Sequence, residues 1–262
     1  MSAMSSNHWA RVNLDPQTEN EAALATVDFL KKIRDVLKDA SFTQDEPALT
    51  VSFSSFNPEH LDFILATVGS GEVRATVGEH IRLEECAIEG LWRIQQRGVD
   101  RFEVTKVPAV LLECLSTKML ETSSSAETVE GLFAAQAILQ ELSAQQKTEN
   151  LDVLSSEPPY TVEISRQPLT PADGTYIEKQ LGKGLIDISI SGFASAHIQS
   201  TAMKGIWRNR IFNNAGKALF DAYVITKLPP EVGESPEEMR SGANRCEEIL
   251  KWLEDDLQRG SL

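Results

Sequence analysis

The short stretch Gly90-Leu91-Trp92-Arg93 returns 115 residues later as Gly205-Ile206-Trp207-Arg208. A glycine-x-glycine element precedes each stretch, and a Thr-Lys-x-Pro element follows each, in the same order in both halves. These flanking elements lie at residues 69–71, 105–108, 182–184 and 226–229. Self-similarity that keeps order, hydrophobic phase and turn residues together is typical of a duplicated module.

Working outward from these stretches, each copy shows the same predicted elements. Alternating apolar residues predict strands with one buried face, for example Val73, Ala75 and Val77. Asn57-Pro58 and Thr170-Pro171 predict helix starts, because an N-cap residue followed by proline is favoured there. Apolar residues at helical spacing predict a closing helix in each copy: Leu132, Ala135, Leu139 and Leu142, then Cys246, Ile249, Leu250, Leu253 and Leu257.

The predicted fold class is therefore α+β, an internally duplicated β-α-β-β-β-α module with mostly antiparallel sheets and pseudo-twofold symmetry. We expect an N-terminal segment over 1–46, with one helix from Glu21 to Lys38, and a first module over 47–145. A polar, proline-ended linker over 146–159 leads to a second module over 160–262, which closes with an acidic helix.

Charge restricts the partners of this chain. Its 262 residues include 25 Lys and Arg against 39 Asp and Glu, a formal charge of −14. Phosphate backbones and anionic membranes would repel such a chain, so we expect neither nucleic-acid binding nor membrane insertion. The acids of 231–257 are typical of a solvated helix face, although they would also suit a basic partner.

Cysteine and histidine give no strong signal for a metal centre or a nucleophile. Three cysteines without a CxxC pair favour a reducing compartment, and the start of the chain does not resemble a signal peptide, so we expect a cytoplasmic protein. No catalytic motif is present, which favours a protein that is not an enzyme. Weak candidate metal ligands are Cys86, Cys114, His80 and His197.

The two glycine-x-glycine elements have two readings. Phosphate-binding glycines open a helix, whereas Gly69 and Gly182 follow one. Since glycine commonly ends helices in the left-handed region, we interpret both as helix C-caps followed by a tight turn.

The two tryptophan–arginine pairs also have two readings. Alternation places Trp92 and Arg93 on opposite faces of their strand. The plainer interpretation puts the tryptophan in the core and pairs the arginine with an acid or with water. The alternative is that one of the two lines a partner-binding surface, since both are favoured interface residues. Glu85 is a candidate to anchor Arg93.

Residues 68–73 (VGSGEV) and 85–94 (ECAIEGLWRI) closely resemble the first block of the HupH/HyaF hydrogenase expression proteins. Residues 182–184, 191–193, 200–201, 207 and 229–232 resemble the second block, and the resemblance covers about 47–257. The motif residues, which are also candidate partner-binding residues, are Gly69, Gly71, Glu85, Gly90, Trp92, Arg93, Gly182, Gly184, Trp207 and Arg208.

This resemblance implies a cytoplasmic, non-enzymatic, chaperone-like accessory protein for maturation of an uptake nickel–iron hydrogenase. The implied partners are a hydrogenase subunit precursor and other maturation proteins, met through a surface shared by the two modules. No cofactor is expected. The alternative is a carrier for an iron fragment that uses cysteine and histidine, but Ala196 stands where relatives often carry cysteine.

Overall fold

A computed structural model describes residues 14–39, 46–122, 131–155 and 157–259 as an α+β fold. The helices are α1 Pro16–Lys38, α2 Leu61–Val68, α3 Ala109–Glu113, α4 Ala135–Thr148, α5 Pro171–Leu181 and α6 Pro236–Arg259. The strands are β1 Leu49–Ser52, β2 Val73–Val77, β3 Ile81–Glu85, β4 Leu91–Gln96, β5 Val99–Val104, β6 Tyr160–Glu163, β7 Lys183–Ile190, β8 Ser195–Thr201, β9 Ile206–Phe212 and β10 Ala218–Ile225. Three-residue 3-10 turns lie at Phe53–Ser55, Pro58–His60 and Pro230–Val232.

The chain forms two compact units. The first takes its described residues from Met1–Gly71, Leu83–Pro108 and Glu234–Leu262, and the second from Glu72–Arg82 and Ala109–Gly233. Strands of the first unit follow the order β1-β5-β4-β3, and those of the second the order β2-β7-β8-β9-β10-β6. The strand pairs within these units whose register is defined are all antiparallel, as the alternating patterns predict.

The core of the first unit lies between its sheet and helices α1, α2 and α6. Leu91, Phe102 and Val104 supply the sheet side, and Leu30 and Leu250 belong to the helices packed against it. Phe102 also contacts the rings of Phe29, Phe53 and Phe56. The helix-facing side of β4 therefore carries Leu91 and Arg93, while Trp92 points to the opposite side.

The core of the second unit lies between its sheet and helices α4 and α5. Ile206, Tyr223 and Ile225 belong to this cluster together with Leu139 of α4 and Ile177 of α5. The predicted apolar stripes of both closing helices are buried as expected, with Leu132 and Leu257 only partly covered.

A buried carboxylate fixes the start of α4. Asp173 has no exposed surface, and its Oδ1 accepts hydrogen bonds from the backbone N–H groups of Phe133, Ala134 and Ala135 at 2.8, 3.1 and 2.9 Å. Although burial alone raises its pKa, the bonds from Thr170, Ala135 and Phe133 hold the pKa of Asp173 well below its usual value. This carboxylate thus caps one helix while lying in the first turn of another, α5.

Three helical segments start with an N-cap residue that is followed by proline. Asp15, Asn57 and Thr170 each precede a proline and accept a backbone hydrogen bond from the turn that follows. Asp15 starts α1 at Pro16, so the predicted start at Glu21 was five residues late. At the boundary between the predicted first module and the linker, α4 continues to Thr148, three residues into the predicted linker.

The two units exchange the closing helices relative to the predicted modules. Helix α6, assigned by sequence to the second module, packs along α1 in the first unit, whereas α4 packs against α5, β6 and β10 in the second. Both helices carry one apolar stripe at helical spacing, and this pattern does not assign either helix to a unit. No described helix is long and apolar enough to cross a membrane.

Two glycines inside helices provide a matched test of these contacts. A Cβ at Gly242 of α6 would collide with the carbonyl oxygen of Glu89, whereas a Cβ at Gly174 of α5 would enter open space. We predict that Gly242→Ala lowers the free energy of unfolding by about 1–3 kcal/mol, because the added methyl group pushes α6 away from the Glu89 backbone. Gly174→Ala should raise it by about 0.5–1 kcal/mol, since alanine favours the helix. Urea unfolding followed by circular dichroism measures both, and equal effects would contradict the α6 packing.

Candidate functional site

The glycine-x-glycine element of the first unit holds the end of α2 against β3. Gly69 has φ +61° and donates its N–H to the Leu65 carbonyl at 3.0 Å, so the predicted C-cap is confirmed. Gly71 donates its N–H to the Glu85 carbonyl at 2.7 Å. A Cβ on Gly71 would lie 2.5 Å from the Cys86 carbonyl oxygen, so this approach requires glycine.

Arg93 lies beside this element on the helix-facing side of β4. Its Nη2 donates to Asp100 at 2.8 Å, and the guanidinium lies over the Phe53 ring, 5.2 Å from the ring centre. Asp100 also accepts from Nε2 of Gln95 at 3.0 Å. On the opposite side, Trp92 is fully buried. The plainer interpretation of the Trp92–Arg93 pair thus accounts for the burial of the tryptophan ring and for part of the arginine, although Trp92 Nε1 has no hydrogen-bond partner among the described residues.

The hydrogen bonding of the Arg93 side chain is incomplete. Its Nε is buried without a hydrogen-bond partner among the described residues. A small pocket of about 80 Å³ opens beside it. We call this the Arg93 pocket; Arg93 lines it together with Leu65, Val68, Gly69, Ser70, Glu84 and Cys86.

In the corresponding elements of the second unit, Arg208 has a partner for each of its side-chain nitrogens. Arg208 donates from Nε and Nη2 to the two oxygens of Asp221 at 2.9 and 2.8 Å, and from Nη1 to Glu178. It lies over the Tyr223 ring at 5.9 Å. The bond to Asp221 is the largest of the effects that raise the pKa of Arg208. Trp207 is buried and donates its Nε1 to the Thr226 carbonyl at 3.1 Å.

The remaining motif glycines take backbone positions. Gly182 ends α5 with φ +63°, as Gly69 ends α2. Gly184 leaves no room for a Cβ, which would lie 2.5 Å from the carbonyl oxygen of Thr201. Gly90 has φ +83° and accepts from the N–H of Thr105 at 3.0 Å. These glycines set the backbone conformation of the loops. Because they have no side chains, the functional groups of the motif are those of Arg93 and its neighbours.

A buried carboxyl pair lies at the start of α6. Glu85 is 7% exposed and hydrogen-bonds to the carboxyl of Glu234. The pKa of Glu234 is raised to about 9. Burial is the largest cause, and the hydrogen bond with Glu85 is the next. The nearby acids Glu89 and Glu238 raise it further, and Glu234 donates its backbone N–H to the Lys106 carbonyl at 3.0 Å. Glu234 is therefore protonated at neutral pH. Glu85, the candidate anchor for Arg93 or its neighbours, pairs with Glu234.

The cysteines are poorly suited to bind metal or act as nucleophiles. Burial is the largest cause of the raised pKa of Cys86, and it raises the pKa of Cys246 to about 12. Cys114, half-buried at the end of α3, also has a pKa raised by burial. A raised pKa keeps a thiol protonated, whereas the thiolate is the ligand and the nucleophile.

The two candidate histidines have different surroundings. His80 is exposed in the turn after β2. The His197 ring has its Nε2 2.6 Å from Asp187, and its Nδ1 accepts from Arg210 Nη2 at 2.7 Å, so both ring nitrogens have partners. Across the described ranges, no three His, Cys, Asp or Glu side chains come together in a geometry that could hold a metal ion.

Comparison with known proteins finds similarity to hydrogenase expression proteins. Residues 132–253 match the family described as "HupH hydrogenase expression protein, C-terminal conserved region". The chain is similar to the hydrogenase expression/formation protein HoxQ of Cupriavidus necator, with 28% identity over 91% of this chain and 85% of the relative. It is also similar to the hydrogenase-1 operon protein HyaF of Escherichia coli K12, with 24% identity over 78% and 73%. A solved hydrogenase expression protein HupH from Thiobacillus denitrificans aligns at 22% identity over 45% of this chain and 93% of that chain, with a TM-score of 0.38.

The carboxyl pair at α6 predicts an unusual dependence of stability on pH. The folded state keeps the Glu234 proton up to a pKa of about 9, whereas the unfolded chain loses it near 4.5. The folded state therefore binds more protons between these values, and stability falls as pH rises through this window. We predict that Glu234→Gln, which cannot ionise, is more stable than the parent at pH 8.5 by about 1–3 kcal/mol and shows a smaller advantage at pH 5.

Urea unfolding at pH 5, 7 and 8.5 measures this difference. Glu237→Gln is the matched control, because Glu237 lies three residues away and is exposed in the first turn of α6. Its stability should run parallel to that of the parent protein. A constant offset between Glu234→Gln and the parent at all three pH values would contradict the protonated pair.

Proposed function

Because the chain belongs to the HupH/HyaF family of hydrogenase expression proteins, we propose that it acts in the maturation of a nickel–iron hydrogenase. The observation that carries this proposal is the family match over residues 132–253. The similarity to HoxQ supports it over most of both chains, since 91% of this chain and 85% of that relative are aligned.

Within maturation, the protein binds a hydrogenase subunit precursor in the manner of a chaperone and catalyses no reaction itself. The protonated thiols of Cys86, Cys114 and Cys246 support this, because an activated cysteine needs a lowered pKa. They likewise disfavour the alternative of an iron-fragment carrier, for which a thiolate ligand would be expected. We accordingly propose that the protein has no cofactor of its own.

The duplicated module is part of the proposal. Each half carries a helix capped by glycine, a second glycine pressed against the next strand, and an arginine stacked on an aromatic ring and paired with an aspartate. Such agreement in backbone and side-chain detail supports a common origin for the two copies. It also means that a difference between them points to specialisation of one copy.

The first unit is the one that carries the precursor-binding surface. Arg208 of the second unit has a partner for Nε, Nη1 and Nη2, as expected of a structural arginine. In Arg93, Nη2 donates to Asp100, Nε has no partner among the described residues, and the side chain lines a pocket. Arginine is one of the residue types enriched at the energetic centres of protein interfaces.

Affinity purification tests this proposal. The full chain, tagged and expressed in a bacterium that carries a nickel–iron hydrogenase, should recover an unprocessed hydrogenase subunit under oxygen-free conditions. The matched control is the same purification from cells that lack the structural hydrogenase genes. Metal content and the infrared spectrum are measured on the same sample. Recovery of no hydrogenase subunit would contradict the proposal, and bound iron with carbonyl or cyanide bands would favour the carrier.

A further inference from the structure

The two units differ at the helix end beside the arginine. Gly69 caps α2 by donating its N–H to the carbonyl of Leu65, and Gly182 caps α5 by donating its N–H to the carbonyl of Glu178. Leu65 and Glu178 therefore occupy the same place in the last turn of their helices. Where the second unit has a carboxylate, the first unit has an apolar side chain.

This exchange removes the side-chain acceptor that Nη1 of the arginine has in the second unit. Glu178 accepts from Nη1 of Arg208, while Asp221 accepts from the other two nitrogens. Leu65 can accept nothing, and Asp100 accepts only from Nη2 of Arg93. A ligand that supplies an acceptor for Nη1 of Arg93 would restore the pairing that Arg208 has with Glu178.

The Arg93 pocket lies where that acceptor would enter. Leu65 and Gly69 line it on the helix side, and Arg93 lines it on the sheet side. Its volume of about 80 Å³ accommodates a small group such as a carboxylate with one or two methylenes. Leu65 and Val68 supply an apolar wall for those methylenes, and the guanidinium supplies donors in the fork geometry that fits a carboxylate.

We propose that the Arg93 pocket binds the carboxylate of a glutamate or aspartate side chain from the precursor, which takes the place that Glu178 has beside Arg208. This inference rests on the proposed function only in taking the partner to be the precursor. Carboxylate binding by the pocket can be tested without it.

Glu84 limits the strength of this binding. It also lines the pocket, at the position that Gln199 has in the second unit, and its negative charge opposes an incoming carboxylate. An isolated carboxylate therefore binds weakly, and the remainder of the precursor surface supplies the rest of the affinity. Replacing Glu84 with glutamine restores the pattern of the second unit and strengthens carboxylate binding.

Nuclear magnetic resonance of the arginine Nε–H groups tests the pocket directly in the full chain. The probes are glutamate and glutamine with both backbone ends capped, and the signal of Arg93 is identified by its loss in Arg93→Lys. We expect capped glutamate to shift the Arg93 signal in a saturable way, with little effect of capped glutamine. No saturable shift, or equal shifts from both probes, would overturn the inference.

Two variants sharpen the test. Leu65→Glu places a carboxylate within the chain itself, so it should weaken the affinity for capped glutamate about tenfold or more, whereas Leu65→Met should leave it unchanged. Glu84→Gln should raise the affinity, and this second variant decides the matter if Leu65→Glu does not fold. Unchanged affinity in either folded variant would contradict the assigned place of the ligand.

The outcomes separate this inference from the proposed function. If the precursor co-purifies with the chain but neither probe shifts the Arg93 signal, only the carboxylate pocket is refuted. A saturable response to capped glutamate without any recovered precursor would refute the proposed function and leave the pocket as a binding site.

Discussion

The rest of the site depends on one constraint: each unit places an arginine on the helix-facing side of its strands. A guanidinium in that position is partly removed from water, and its charge and donors must be satisfied by groups brought from other elements. An aromatic ring and an aspartate on the neighbouring strand do this in both units. The glycine-capped helix then closes the remaining side, with Glu178 in the second unit and with Leu65 in the first. A structural arrangement in one copy thus becomes a site with an unused donor in the other.

Several features could be predicted because they depend on neighbours along the chain. Alternation in β2 and the helix cap at Gly69 follow from local pattern and from the conformational freedom of glycine. The start of α1 was predictable as well, since Asp15-Pro16 is the same kind of signal as Asn57-Pro58. The Glu85–Glu234 pair and the capping of α4 by Asp173 were not predictable, because they join residues distant in sequence. An isolated aspartate or glutamate gives no local sign of the group it will face.

The net charge of −14 has a partly structural explanation. On α6, Glu254 pairs with Lys31 and Glu247 with Lys38 of α1, so part of the acidic face serves helix packing in the first unit. These pairs are about half exposed and add little stability individually. Glu234, also counted among the acids, is protonated at neutral pH, which makes the charge of the folded chain less negative than the formal value. The acidic tail therefore gives less support to a purely electrostatic encounter than its composition indicates.

The difference between the two units leads to one decisive measurement on the complex with the precursor. Amide hydrogen exchange, compared between the free and bound chain, reports which helix end becomes covered. Our account predicts slower exchange on binding at residues 65–71, around the Arg93 pocket, and unchanged exchange at 178–184, where Glu178 already satisfies Arg208. Protection confined to 178–184, or absent from both segments, would contradict it.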